Sequence, residues 1–421
     1  MCQYCYFNFR NRCSIIYKTT LIRRLYMKLK VALMNDSFPP IIDGVANTVK
    51  NYADIINEKY GEPLVITPRY PGIITEHHYK VLRYSSVNFF GRLPYRVGNP
   101  VSPSVIYSIF KEKPDLLHVH CPFASMSLAR SINASEFMKE HIPVVFTYHT
   151  KFSVDIGKYV SSRPMKAVAQ RYVLSNINYA DEVWVVSEGA GRDLAEFGYT
   201  GEYLVMPNGT DFPHERASDE RIRQINFLYD LPKDGPMFLF VGRMMWYKNL
   251  RLILDSLKKL ANSDLKFSAV FVGDCGDKNE IVAYAKQLGL GDRCLFVGAV
   301  TNREKIRAFF SRADLLLFPS TYDTNGLVVR EAAACDCAAL LVKGSCAAEG
   351  VEDGVSGLLA EENADSCAEK LAALLRSGNF KELGKGAGNN IYYSWDEAVK
   401  KAWDRYEVIL ENKERKKESN V

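Results

Sequence analysis

The sequence predicts an α/β protein: two Rossmann-like domains facing each other across a cleft, with a C-terminal helix packing back. Three observations lead there. Short apolar runs alternate with helix-period segments along most of the chain, the pattern of parallel strands joined by crossover helices. The alternation occurs in two series, parted near Pro207–Arg223, and 421 residues are too many for one ordinary core. Apolar runs in both series also stop at short loops carrying Gly, Asn or Asp, the end of an open parallel sheet where ligands bind.

The first series reads as strand Lys30–Met34, a glycine loop, helix Val45–Glu58 and strand Pro63–Thr67. Strand Leu116–His120, a helix from Ser125, strand Pro143–Tyr148 and a helical stretch to Tyr179 follow. Strand Glu182–Val186 ends at Ser187, an N-cap type, and strand Tyr203–Met206 closes the series. The second series runs through strand Met237–Val241, helix Leu250–Leu260, strand Phe267–Val272, helix Lys278–Leu288, strand Arg293–Val297 and helix Arg303–Ser311. It continues with strand Ala313–Phe318, a polar loop, a helix carrying Glu331, strands Ala338–Val342 and Gly357–Leu359, and helix Ser366–Ser377. Gly384, Gly386 and Gly388 read as a loop, because they do not follow a strand. Helix Trp395–Leu410 has an apolar face at Ala398, Ala402, Tyr406 and Ile409, and its charged tail Lys413–Glu418 is expected to fray. The predicted division is an N-terminal extension over 1–26, domains over 27–212 and 213–394, and a helix with its tail over 395–421.

Composition narrows the function. Net charge is +5, but residues 1–26 hold five basic residues and no acid, so residues 27–421 are neutral (5 − 5 = 0) and not those of a nucleic-acid binder. The extension reads as a mis-start ahead of Met27 or as a disordered arm. No stretch of 18 apolar residues spans a membrane. Cys2 and Cys5 form a CxxC pair, but no second pair or nearby His completes a zinc site. The ten scattered cysteines read as small buried hydrophobes in a reducing cytoplasm. Neither a dinucleotide-binding glycine fingerprint after a strand nor a P-loop is present.

Two constellations carry chemistry. Arg243 and Lys248 lie five residues apart, just past an apolar strand, where two cations can clamp a diphosphate and stabilise it as it leaves. Asp323 and Glu331 lie eight residues apart, one in a polar loop and one in the helix that follows, so both can face one cleft. Solvated surface charge is the alternative for the cations, and a structural hydrogen bond for a strand-end His such as His149.

The ordered set Gly242-Arg243, Lys248, Gly273-Asp274, Phe296-Val297-Gly298, Phe318-Pro319-Ser320, Asp323 and Glu331 resembles the donor domain of retaining, GT-B-fold nucleotide-sugar glycosyltransferases of family 4. The first half agrees at Asn35–Pro40 with Gly44, Pro114–His120, Phe146–Thr150 and Met206–Asp211, so the resemblance covers about Met27 to Leu410. It implies that Arg243 and Lys248 hold the donor diphosphate, Asp323 the sugar hydroxyls and Glu331 the ribose. Asn325, Gly326, Leu327 and Val328 would support sugar and phosphate through their backbone. Gly298 would line the base pocket, Gly44 would admit the diphosphate, and His149 would contact sugar or acceptor. The chain departs from the family pattern at Asp323, usually Glu, and at Thr324-Asn325, usually Pro-Phe or Ser-Phe, which leaves sugar selectivity open.

The function expected from this resemblance is transfer of a hexose, with retention, from a UDP- or GDP-linked sugar to an acceptor hydroxyl. Protein cations would replace a metal, and no other cofactor is implied. The acceptor is a membrane lipid or a cell-surface glycan precursor, the setting cytoplasmic or at the inner face of a membrane. Phe89–Arg96 and Lys158–Tyr172 interleave aromatics with cations, fitting contact with an anionic bilayer or an ordinary amphipathic surface. Two rival readings remain: a nucleotide-sugar epimerase, which needs no acceptor, and a catalytically silent sugar-nucleotide binder.

Overall fold

The computed structural model describes residues 28–41, 43–72, 76–88, 96–152, 156 and 162–419. The extension with its CxxC pair, Phe89–Tyr95 and Lys158–Ser161 lie outside them.

The chain divides into two compact units. The described residues of Met1–Thr147, Arg171–Trp184 and Val399–Val421 make the first; those of Tyr148–Gln170 and Val185–Ala398 make the second.

Chain order begins with β1 (Lys30–Met34), α1 (Gly44–Ile55), β2 (Glu62–Pro68), β3 (Lys80–Tyr84), β4 (Ser86–Val87), β5 (Val97–Gly98), α2 (Pro103–Glu112) and β6 (Leu116–Val119). Next come α3 (Ala124–Asn133), β7 (Val144–Tyr148), α4 (Arg163–Ile177), β8 (Glu182–Val185), α5 (Glu188–Glu196) and β9 (Leu204–Val205). One sheet has the order β3-β2-β1-β6-β7-β8-β9, and β1 pairs in parallel with both β2 and β6. β4 and β5 make a separate antiparallel ribbon. Val31, Ala32, Leu33 and Met34 are fully buried, as a central parallel strand covered on both faces requires. Asp43 caps α1 by accepting from Ala46 N at 2.7 Å, and Ser187 caps α5 by accepting from Ala190 N, as its residue type predicted.

The second series comprises α6 (Asp219–Leu228), β10 (Met237–Val241), α7 (Leu250–Ala261), β11 (Ser268–Val272), α8 (Lys278–Gln287), β12 (Cys294–Gly298) and α9 (Arg303–Arg312). It ends with β13 (Leu315–Leu317), α10 (Leu327–Ala333), β14 (Ala339–Val342), β15 (Leu358–Ala360), α11 (Ala364–Ser377), α12 (Phe380–Asn390) and α13 (Trp395–Ser419). Its sheet is parallel in the order β12-β11-β10-β13-β14-β15. Phe238, Leu239, Val270, Phe271, Leu315 and Leu316 form its core.

Several expectations are corrected. Gly384, Gly386 and Gly388 lie within α12, not in a loop. A Cβ at Gly384 would stand 2.1 Å from Asp336 O, and one at Gly386 1.9 Å from Val355 O. These glycines let a helix press against neighbouring backbone, which outweighs their low helix propensity. The charged tail does not fray: α13 continues to Ser419, with Lys417 paired to Glu140. Helix α1 gives way to a π-helical turn over Ile56–Tyr60, where the sequence reading carried it on to Glu58. Helix α2, with Pro103 at its first turn, and strand β3 were not anticipated.

Candidate active site

Strand order reverses between β10 and β13, so the loops at their C-terminal ends flank the crevice where open α/β sheets take ligands. Three glycine loops meet beside it. Gly242 N donates to Val272 O at 3.0 Å, and Gly273 N donates to Gly298 O at 2.8 Å. A Cβ on Gly273 would fall 1.8 Å from Gly242 O, so only glycine permits this approach. Gly298 has φ +90.

Past Gly242 the exposed Arg243 precedes a 3-10 turn, Trp246–Lys248, that carries Lys248 inward. Lys248 is only 8 % exposed, and its Nζ lies 5.7–5.9 Å from the ring centroids of Tyr247, Phe318 and Tyr322. Asn249, in the left-handed conformation, donates to Pro319 O at 2.8 Å and to Glu362 Oε1 at 2.7 Å, stitching the β10 loop to the β13 loop. This brings together two residues singled out from sequence: Lys248 Nζ donates to Asp323 Oδ1 at 2.5 Å. Asp323 Oδ2 is buried with no hydrogen-bond partner. An unmet buried acceptor costs about 1–3 kcal/mol, so this oxygen keeps an unused capacity to accept a hydrogen bond.

The loop beyond Asp323 is tied down on both sides. Thr324 Oγ1 donates to His149 O at 2.7 Å, Ser187 Oγ to Thr324 O at 2.6 Å, Asn325 Nδ2 to Val186 O at 2.7 Å, and Lys151 Nζ to Thr321 O at 2.9 Å. Thr324 and Asn325, which depart from the family pattern as Asp323 does, thus supply polar ties. His149 meets the loop through its backbone carbonyl. Burial pushes its imidazole down to about 3 from an ordinary 6.5, so the ring is neutral near pH 7. Gly326 (φ +60) is the N-cap residue of α10, which Leu327 and Val328 open.

Asp323 and Glu331 hold different cations. Glu331 Oε1 accepts from Arg303 Nη2 at 2.8 Å, and Arg303 also donates to Asp211. Burial raises the Glu331 pKa, while Arg303 pulls it the other way. Burial works to lower the Arg303 pKa, but its two carboxylate partners make the net shift upward. Sequence reading singled out neither Arg303 nor Asp211 in this role. Asp211 closes a segment recognised only as an interdomain joint, and a lone Arg opening a helix reads as surface.

Gly44 lies in the first unit, at the first position of α1, with nothing within 4 Å of a Cβ built there. Among the described residues, no cluster of three or more His, Cys, Asp or Glu is placed to hold a metal ion. The cysteines there are all free; burial raises the Cys335 thiol to about 11 and Cys294 to about 12, values of inert core thiols.

Comparison with known proteins gives the class to which these two parallel α/β sheets belong. The family model Glycosyltransferase Family 4 matches residues 42–212, and Glycosyl transferases group 1 matches residues 221–391. The chain belongs to this family of glycosyltransferases and has the GT-B fold. A sulfoquinovosyl transferase of Arabidopsis thaliana is 26% identical over 88% of this chain and 72% of its own length. An alpha-monoglucosyldiacylglycerol synthase of Acholeplasma laidlawii is 23% identical over 80% and 85%. The solved structure of Anabaena Alr3699/HepE in complex with UDP-glucose superposes with a TM-score of 0.69 at 18% identity, covering 90% of this chain and 100% of that one.

Proposed function

We propose that this glycosyltransferase moves a hexose from a nucleoside-diphosphate sugar to an acceptor hydroxyl, with retention at the anomeric carbon. The observation that carries the reading is the buried Lys248–Asp323 pair at the switch point, with one Asp323 oxygen still unpartnered. Lys248 and the exposed Arg243 hold the diphosphate and stabilise the charge that develops as it departs. Asp323 Oδ2 accepts from a hydroxyl of the sugar. Glu331, steadied by Arg303 through Oε1, turns Oε2 to the ribose. His149, uncharged near pH 7, lines the sugar or acceptor side. The bond from the anomeric carbon to the diphosphate breaks, and the acceptor oxygen bonds to the same face. The acceptor's proton passes to the departing phosphate. Cationic side chains serve where a divalent ion otherwise would, so chelation leaves turnover unchanged.

The acceptor in this reading is a membrane lipid or a glycan precursor, met at the cytoplasmic face of a membrane. A relative named for a glucosyldiacylglycerol product supports the lipid. Helix α4 supports membrane contact: it exposes Met165, Val168 and Tyr172 beside Arg163, Lys166 and Arg171 and carries no acid.

The test is donor turnover. Protein with or without Lys248→Ala is incubated with UDP-glucose, UDP-galactose, UDP-N-acetylglucosamine or GDP-mannose and membrane lipid extract. Nucleoside diphosphate release that needs extract and disappears in the variant supports transfer. Sugar isomerisation without extract supports an epimerase, and binding without turnover a silent binder.

A further inference from the structure

Asn325 stands where the β13 loop turns into α10, and only 8 % of it is exposed. Its amide can be oriented by chemistry alone. Val186 O needs a donor, and only the NH2 group can provide one, so Oδ1 is the atom left over. That oxygen is buried and has no hydrogen-bond partner. Two residues earlier Asp323 repeats the pattern, with Oδ1 on Lys248 and Oδ2 buried and unpartnered. Between them Thr324 is held through both its hydroxyl and its carbonyl. One pinned loop therefore carries two buried acceptor atoms with no donor assigned to either. Neither can give a hydrogen bond, so a partner must bring its own O–H or N–H. A polyhydroxylated ligand does so, and the ties on the loop spare the cost of ordering it on binding.

We propose that Asn325 is a specificity-determining residue that accepts, through Oδ1, a hydrogen bond from one hydroxyl of the donor sugar. This rests on the nucleotide-sugar reading above and deepens it. A site built to meet a substrate hydroxyl discriminates strongly against analogues that lack it, because the buried acceptor is then left unmet. Asn325 thus reads the sugar and leaves the nucleotide alone.

The experiment is a cycle between residue and substrate. Dissociation constants of the full chain and of Asn325→Leu are measured for the bare nucleoside diphosphate and for the nucleotide sugar turned over in the donor assay. They are then measured for the analogues of that sugar with each ring hydroxyl in turn replaced by hydrogen. The variant is expected to bind the nucleoside diphosphate unchanged and the nucleotide sugar about tenfold more weakly, the size of one lost hydrogen bond. One deoxy analogue, weakened in the unaltered protein, is expected to lose nothing further in the variant. Equal deoxy penalties in both proteins would overturn the inference while leaving the donor reading intact. An unaltered protein that binds neither nucleoside diphosphate nor nucleotide sugar would overturn the donor reading and this inference with it. Should Asn325→Leu fail to fold, Asn325→Ala carries the same comparison.

Discussion

Lys248 and Asp323 show how a buried charge becomes tolerable and useful together. Each is largely withdrawn from water, and each is the other's counter-charge. Lys248→Ala is expected to cut the turnover rate roughly a hundredfold, the scale of losing one preorganised electrostatic contact. It is also expected to lower stability by about 1–3 kcal/mol, because the Asp323 carboxylate stays buried without its cation. Adding Asp323→Asn should recover much of that stability in a denaturant melt and none of the activity. His149 makes a separate prediction. Its folded pKa of about 3 lies below the ordinary 6.5, so between those values the unfolded chain binds a proton that the folded one does not. Its contribution to stability is whole above about pH 6.5 and is lost as pH falls toward 3. Denaturant midpoints followed across that window should decline less steeply in His149→Gln, and a slope unchanged by the substitution would count against a ring held neutral by the fold.

Glycines decide much at the level of single elements, and for different reasons. Gly326 and Gly378 both adopt positive φ, at the start of α10 and the end of α11. A Cβ at Gly326 would also stand 2.8 Å from Ala347 Cβ, whereas one at Gly378 meets nothing within 4 Å. Alanine at Gly378 should therefore cost about 1 kcal/mol of backbone strain alone. Alanine at Gly326 should cost visibly more in the same thermal melt and weaken donor binding, since it shifts the loop that holds Asn325. The glycines of α12 explain a misreading. Spacing along the chain cannot distinguish a flexible glycine from one that admits a neighbour's backbone, because the neighbour, Asp336 or Val355, is remote in sequence.

For the whole molecule, α13 matters more than its terminal position suggests. Val399, Ala402, Trp403 and Tyr406 are buried, Tyr406 OH bonds His118 Nδ1 inside the first unit, and Arg405 pairs with Glu182. Helix α13 begins in one compact unit and, from Val399 on, belongs to the other. A chain ending at Ser394 is expected to be insoluble or to lose its cooperative melt. Tyr406→Phe should fold but melt earlier, by the equivalent of about 1–3 kcal/mol. A shortened chain that kept the full-length melting temperature would sink this account.

The sequence by itself determined the two α/β series and nearly all the strands of both sheets. Those follow from local pattern: apolar runs of strand length, helix-period segments and caps such as Ser187 are written in neighbouring residues. Arg243, Lys248, Asp323 and Glu331 stand out as candidates for the same reason, being short-range motifs in a recognisable order. Tertiary structure alone decided which charges meet. Lys248 and Asp323 are 75 residues apart, Arg303 and Asp211 92, and Asn325 and Val186 139, and nothing local in any of these segments names its partner. Packing also turned three loop-like glycines into helix and held a charged tail helical. Those outcomes depend on surfaces brought together only when the chain has folded.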